Sequence, residues 1–344
     1  MPENRPLTPE ELKAIGLIPM NFVVGKERSG TTLLQLMLNA HPNIVAPPEA
    51  RFIILLYFRY GKTKIWTEKV ITNFCDDLFR EVLFRNFWGV DKTYLQTTLL
   101  SAKEFLNFQL ACKIVFKLSS PEKLDLRLFF DKNPIYYYFL PELAKIFPEA
   151  KYIHIVRDYR ANLVSHRKIF TVKKGTDIAF RWVKVNKLIE EAKSLQPNNY
   201  FTITYEALVL NPAQNLEGAC SFFNIPFNMN MVENHQSGMF SGFQNNNRER
   251  FQKVHHNVFQ PINPKLIDEW KEQMTAEELV SVEAVAGEYG EQKYGYKTLN
   301  LIKENSGGYF ITNLKYIVIK ALYRKSFANL WLYYFIKRYV WRHF

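Results

Sequence analysis

Acidic residues run out before the chain does. None follows Glu304, while Lys315, Lys320, Arg324, Lys325, Lys337, Arg338 and Arg342 do. Those seven cations carry more than half of the formal net charge of +12, so the rest of the chain is only mildly basic. A body of that kind suits a small polyanionic ligand. No helix-turn-helix, zinc or RNA-binding signature accompanies the charge, which argues against nucleic acid. Cysteine is scarce as well: Cys75, Cys112 and Cys220 are odd in number and far apart. That spacing excludes a disulfide framework and a thiolate metal site, and the three read as buried thiols in a reducing compartment. The longest nearly apolar run near the end, residues 327–336, falls well short of the roughly 20 residues that span a bilayer. Residues 1–13 are polar and lack the basic-then-apolar order of a secretory signal. These absences together give the expectation of a cytoplasmic protein. Repeats are absent too, and no stretch is rich enough in Pro, Gly or Ser to mark a linker.

What is present is a chain of 344 residues, long enough for one large α/β domain. Residues 1–19 read as a leader on the surface. Residues 21–24 form an apolar run that ends at Gly25, which predicts a strand. Leu33, Leu36, Met37 and Ala40 then follow helical spacing, and His41-Pro42 stops that helix. Residues 50–108 are aromatic-rich, poor in turns and helical in pattern. Strands are predicted again at 151–156 and 200–204, and helices at 264–272 and 276–289. Strands spaced by helical stretches point to a parallel sheet flanked by helices. The expected fold is therefore α/β and P-loop-like, with a helical insertion on the acceptor side and a basic, aromatic, helical C-terminal tail.

The strongest chemical signal lies between the first strand and the first helix: Gly25-Lys26-Glu27-Arg28-Ser29-Gly30-Thr31-Thr32. Glycines let the backbone approach an anion, and the helix start adds unpaired amides and the positive end of its dipole. A nucleoside triphosphate loop would carry a lysine where Thr31 stands. Its absence disfavours a kinase, which needs that cation and a magnesium site. Arg28 supplies the charge instead, enough for a single 5' phosphate group.

Arg28-Ser29-Gly30-Thr31-Thr32-Leu33, followed by Ala40-His41-Pro42, resembles the 5'-phosphosulfate loop of sulfotransferases that use 3'-phosphoadenosine 5'-phosphosulfate (PAPS). The resemblance is to the tyrosylprotein branch, and it runs from about residue 20 to residue 296. It implies that Arg28, Ser29, Gly30, Thr31 and Thr32 grip the 5' group, with no metal required. Arg157, at the end of the second predicted strand, and Ser165 eight residues on then resemble the 3'-phosphate site. An arginine can fork two hydrogen bonds onto a phosphate, and the serine adds another. Tyr205 either lines the nucleotide, as the family element Tyr205-Glu206 implies, or is a core tyrosine.

Sulfuryl transfer to an alcohol needs a proton acceptor and cations that absorb charge on the moving group. By its place in Pro47-Pro48-Glu49-Ala50-Arg51, Glu49 resembles the branch's glutamate base. Read from spacing alone it would be a helix N-terminal glutamate capping Arg51 or Phe52. Lys132, in Phe130-Asp131-Lys132-Asn133-Pro134, resembles the family lysine that acts beside Arg28, though an isolated loop lysine is ordinarily solvated. His41, beside Pro42 at a helix end, reads as structural. The chain departs from the branch at His255 and Gln260, where a small hydroxyl residue and a lysine are expected, so no role is carried onto these or onto His256. Ala46 stands where secreted members carry a bridging cysteine, which fits the cytoplasmic expectation and separates the chain from secretory-pathway tyrosine-modifying enzymes.

The apolar run after Glu49, residues 52–58, is either a core helix or a wall of the acceptor pocket. In the second case the acceptor alcohol is apolar, such as a sterol or lipid; a glycan or a peptide tyrosine stays open. Residues 309–344 interleave cations with Trp331, Tyr333, Tyr334, Phe335, Tyr339 and Trp341. That pattern suits either an anionic membrane surface or helices packed on the body. The domain reading is a leader at 1–19, a sulfotransferase domain at 20–296 and the extension at 297–344. Two rival functions remain at this level, a P-loop small-molecule kinase and a silent nucleotide-binding module at a membrane. Oligomeric state is not legible.

Overall fold

The computed structural model describes residues 6–172, 174–235 and 260–299. The basic aromatic tail, His255 and His256 lie outside them. The first helix, α1 (Pro9–Leu17), opens on a reciprocal cap in which the Thr8 hydroxyl accepts from the Glu11 amide and the Glu11 carboxylate from the Thr8 amide. Leu12 and Ile15 of α1 are buried. This part of the expected surface leader therefore packs into the core, because its helix presents an apolar side.

Strand β1 (Met20–Val24) is buried end to end. Met20, Phe22 and Val24 join one core cluster and Val23 a second, the alternation of a strand covered on both faces. Helix α2 (Thr31–Ala40) follows, then the short strand β2 (Ile44–Val45). The helical insertion comes next: α3 (Phe52–Tyr60), α4 (Glu68–Arg80), α5 (Val82–Phe87), α6 (Lys92–Ser101) and α7 (Phe108–Leu118). The chain returns to the sheet in β3 (Leu128–Lys132), passes through α8 (Leu140–Ile146), and forms β4 (Tyr152–Val156), α9 (Tyr159–Arg167) and α10 (Gly175–Leu195). After β5 (Tyr200–Thr204) come α11 (Tyr205–Leu210), α12 (Pro212–Phe222), α13 (Asn230–Glu233), α14 (Trp270–Gln273) and α15 (Ala276–Tyr294).

The five strands are all parallel, in the order β2-β3-β1-β4-β5. From β1 the chain lays down the edge strand β2, inserts β3 between it and β1, and then builds outward through β4 and β5 on the other side. In such sheets a ligand crevice opens beyond the carboxyl ends of the strands, where the winding direction reverses. Here that point lies between β1 and β4. Helix α3 belongs to the core: Phe52 makes ring contacts with Trp88 at 5.4 Å, Phe84 at 5.8 Å and Phe116 at 6.0 Å. Of the two readings of residues 52–58, the core helix is the one this packing supports.

Candidate active site

Gly25 closes β1 where β4 runs beside it. A Cβ there would collide with the Ile155 carbonyl, so only glycine lets the loop leave the sheet at this point. Gly30, with φ of +90°, caps α2, and a Cβ on it would strike the Tyr205 ring. Arg28 also takes a left-handed conformation, with φ of 69°, uncommon for a residue with a side chain. Left-handed residues in a turn at a helix start build the amide concavity that takes an anion. From α9, Asn162 Nδ2 donates to the Glu27 carbonyl (2.8 Å) and to Ser29 Oγ (3.1 Å) and so holds the loop from behind. Beneath it, Lys26 is wholly buried and pairs with Glu27 at 2.5 Å, and Arg181 pairs with Glu27 at 2.8 Å. Burial pushes the Lys26 amine down to about 8, against the pull of Glu27. Burial works against the Glu27 charge, but Lys26, Arg181 and His166 outweigh it and hold that carboxyl well below its usual range.

The residues expected at the two ends of an adenosine bisphosphate are contiguous. Arg28 Nε donates to Ser165 Oγ at 3.2 Å. Arg157, at the end of β4, donates to the Leu266 carbonyl at 2.8 Å and to the Arg28 carbonyl at 3.4 Å, and its guanidinium lies 4.3 Å from the centre of the Tyr205 ring. Its Nε is buried with no hydrogen-bond partner among the described residues. Tyr205 is thus wedged between Gly30 and Arg157. Trp182 on α10 fixes the Arg157 backbone by donating to its carbonyl at 2.8 Å. Burial and the Arg157 charge both weaken the hold of Arg28 on its proton, and Glu49 and Glu27 strengthen it. Two guanidinium groups held this close at a sheet edge favour an anion beside them.

Lys132, read from sequence as a loop residue, ends β3 and is 2% exposed. Its Nζ donates to Thr32 Oγ1 at 3.2 Å and forms a short ion pair with Glu49. Glu49 is the more open of the two, with 26% of its side chain exposed. Arg28, Thr32, Glu49, Lys132, Arg157 and Ser165 therefore meet at the carboxyl ends of three neighbouring strands, β3, β1 and β4, although up to 137 positions separate the bonded pairs.

Asp131, which sequence reasoning passed over, is fully buried beside Lys132. Tyr136 O–H donates to one of its carboxylate oxygens through a short bond, and Asn133 Nδ2 donates to the other at 2.9 Å. Burial pushes its carboxyl from 3.8 up to about 7, Glu49 adds to the rise, and Tyr136 and Lys132 oppose it. An acid that holds its proton more tightly when folded contributes stability in full below its unfolded pKa and loses it as pH climbs through the folded one. The melting temperature of the wild type, relative to Asp131→Asn, is thus expected to fall between about pH 4.5 and about pH 7.5. Parallel profiles for the two proteins would show that Asp131 does not titrate in that window.

His41 takes no part in this site. Its Nδ1 accepts from the Asn43 amide at 3.1 Å and its Nε2 donates to the Pro226 carbonyl at 2.9 Å. Burial also lowers its pKa. Gln260 is exposed at a bend. The three cysteines are free and buried, and burial pushes the Cys75 thiol up to about 12 and the Cys220 thiol up to about 11.

Comparison with known proteins gives this geometry its relatives. The profile of the Sulfotransferase family matches residues 19–229, more than half of the chain. Protein-tyrosine sulfotransferase 1 of Danio rerio is 28% identical over 259 residues, covering 74% of this chain and 66% of that protein. Protein-tyrosine sulfotransferase 2 of Gallus gallus is 23% identical over 263 residues, covering 74% of this chain and 63% of its own length. The chain thus spans just under two thirds of these curated relatives. Among solved structures, the sulfotransferase domain from the curacin biosynthetic pathway aligns with a TM-score of 0.55 at 21% identity, over 80% of this chain and 98% of that one. The sulfotransferase domain of the Synechococcus PCC 7002 olefin synthase aligns with a TM-score of 0.52 at 20% identity, over 79% and 94%. Both share the fold. The relatives also correct one expectation. A cytoplasmic setting was inferred from missing cysteines and a missing signal. The matched relatives are named protein-tyrosine sulfotransferases, the kind of tyrosine-modifying enzyme from which those absences were taken to separate the chain, so the inference does not stand. Among the described residues no helix is long and apolar enough to cross a membrane.

Proposed function

This chain belongs to the sulfotransferase family, and from that premise we propose that it transfers the sulfuryl group of PAPS to an acceptor hydroxyl, with the phenol of a peptide tyrosine as acceptor. The observation that carries the reading is the meeting of Arg28, Lys132, Glu49, Arg157 and Ser165 at one crevice of the sheet. Its chemistry fits a nucleotide with two separated anionic groups. The buried Nε of Arg157, without a partner among the described residues, and the glycine-lined turn at residues 25–30 are suited to oxygen acceptors.

When bound, PAPS supplies an activated sulfuryl group. The amides and hydroxyls of residues 28–32 would hold its 5' end, and Arg157 with Ser165 its 3' phosphate. Glu49, the more open partner of Lys132, accepts the proton of the acceptor hydroxyl as that oxygen attacks. Lys132 and Arg28 are cations already in place to stabilise negative charge on the moving group and the departing phosphate, with no reorganisation at the moment of reaction. The Lys132–Glu49 pair holds the base next to the cation it works with.

Two observations favour a tyrosine over an apolar alcohol. Helix α3 buries its apolar residues in the core, which removes the support for a sterol-lined wall, and the matched relatives are named as protein-tyrosine enzymes. The test offers 35S-labelled PAPS with a tyrosine peptide, its phenylalanine counterpart, cholesterol and a chitooligosaccharide, in buffer containing EDTA. Label on the tyrosine peptide alone is expected, together with tighter binding of adenosine 3',5'-bisphosphate than of ATP. Label on cholesterol or the sugar would reassign the acceptor, and no label on any of the four would overturn the transfer reading.

A further inference from the structure

Glu49 sits in a loop with no regular hydrogen bonding of its own, yet the carbonyls around it are all engaged. On one side, Trp88 Nε1 donates to the Pro48 carbonyl at 2.9 Å. On the other, Asn133 Nδ2 donates to the Ala50 carbonyl at 3.2 Å. Further back, Gln35 Nε2 donates to the Ala46 carbonyl at 3.2 Å and through a short bond to that of Pro47, and Asn39 Oδ1 accepts from the Ala46 amide at 2.9 Å. Gln35, Trp88 and Asn133 are each no more than 2% exposed. Such enclosed groups cost free energy if left unpaired, so each bond resists exchange with solvent. Asn133 differs from the others in one respect: it directly follows Lys132, and its amide is itself oriented by Asp131. One turn of chain thus aims the cation and grips the backbone beside the base.

We propose that Asn133, seconded by Trp88, is a positioning residue that sets the direction of the Glu49 carboxylate toward the acceptor. The inference rests on the reading of Glu49 as the base. It differs from a role in stability alone because the two donors take the carbonyls of the residues before and after Glu49, while the donor-binding residues Arg157 and Ser165 lie across the crevice on β4 and α9. Loss of the grip should leave nucleotide binding intact and blunt the proton transfer. A displacement of about 1 Å at a reacting group can cost on the order of 100-fold in rate.

Asn133→Ala and Trp88→Phe, the second keeping most of the ring volume, are assayed with labelled PAPS and the tyrosine peptide in single-turnover and steady-state modes. Turnover is expected to fall about 10- to 100-fold, with donor KM and bisphosphate Kd within about 2-fold of wild type. On a Glu49→Gln background neither change should lower the rate further by more than about 2-fold, because both act through the missing carboxylate. Asn133→Ser, which retains a donor, should recover part of the loss, and it replaces the alanine variant if that protein melts below the assay temperature. Unchanged turnover in Asn133→Ala overturns the inference, as does a loss that multiplies in full on the Glu49→Gln background or that appears as weaker bisphosphate binding. A wild type that labels no acceptor overturns the reading beneath it as well, whereas an active wild type with an unaffected Asn133 variant removes only the positioning role.

Discussion

Glu49→Gln is expected to lower turnover by on the order of 10³-fold while leaving the affinity for adenosine 3',5'-bisphosphate within about 2-fold of wild type. The substitution keeps volume and an oxygen for Lys132, and it removes the capacity to take a proton together with the negative charge. The carbonyls of the neighbouring residues Pro48 and Ala50 remain held by Trp88 and Asn133, so the loop has little reason to rearrange. Glu49 is a quarter exposed and Lys132 almost fully buried. Replacing the outer partner by a neutral one leaves a cation that Thr32 still contacts and that lies near an anion-binding turn. Turnover by radiolabel transfer and bisphosphate affinity by calorimetry separate the outcomes. Lost affinity with an early melt would make Glu49 a structural partner of Lys132, and near-normal turnover would place the base elsewhere.

Arg157→Ala should do the reverse at the binding step. Its guanidinium reaches the Arg28 carbonyl, the Leu266 carbonyl and the Tyr205 face. Charge-assisted hydrogen bonds contribute about 1.5–3 kcal/mol each, so losing a two-pronged contact to a phosphate should weaken bisphosphate binding by at least about 100-fold. The Trp182 bond to the Arg157 carbonyl is a backbone contact and survives the change, which makes a folded variant the expected product. Calorimetry at fixed ionic strength, with a melting curve as control, reads the effect. Unchanged affinity in a folded Arg157→Ala protein would remove the second anion site and with it the case for a 3'-phosphorylated nucleotide.

The two variants bear on different parts of what could be read from sequence. The turn of residues 25–32 was legible because its signal is local: two glycines, Gly25 and Gly30, a helix start directly after, and an arginine between. Helix α2 and strand β5 run from the first to the last residue expected, since their apolar periodicity is uninterrupted. Strand β3 was missed for the opposite reason. Asp131 and Lys132 break its apolar pattern, and the proposed site draws on that strand end. Asp131 itself carries no signal in the sequence, since a carboxylate beside a lysine ordinarily reads as a solvated pair. Only its enclosure with Tyr136 and Asn133 shows that it is part of the support.

Residue order alone was thus enough to specify the glycine-bounded turn before α2, the parallel α/β architecture and the family, because these depend on neighbours within a few positions or on spacing along one element. Which side chains meet was decided by the folded sheet. Stacking β3, β1 and β4 side by side brings Lys132 onto Glu49 and Thr32 and Arg28 onto Ser165, and it places Asn133 against the Ala50 carbonyl. Contacts between positions about 80 to 140 apart carry no local periodicity, and they arise only when burial of the strands on both faces brings their carboxyl ends to a common edge.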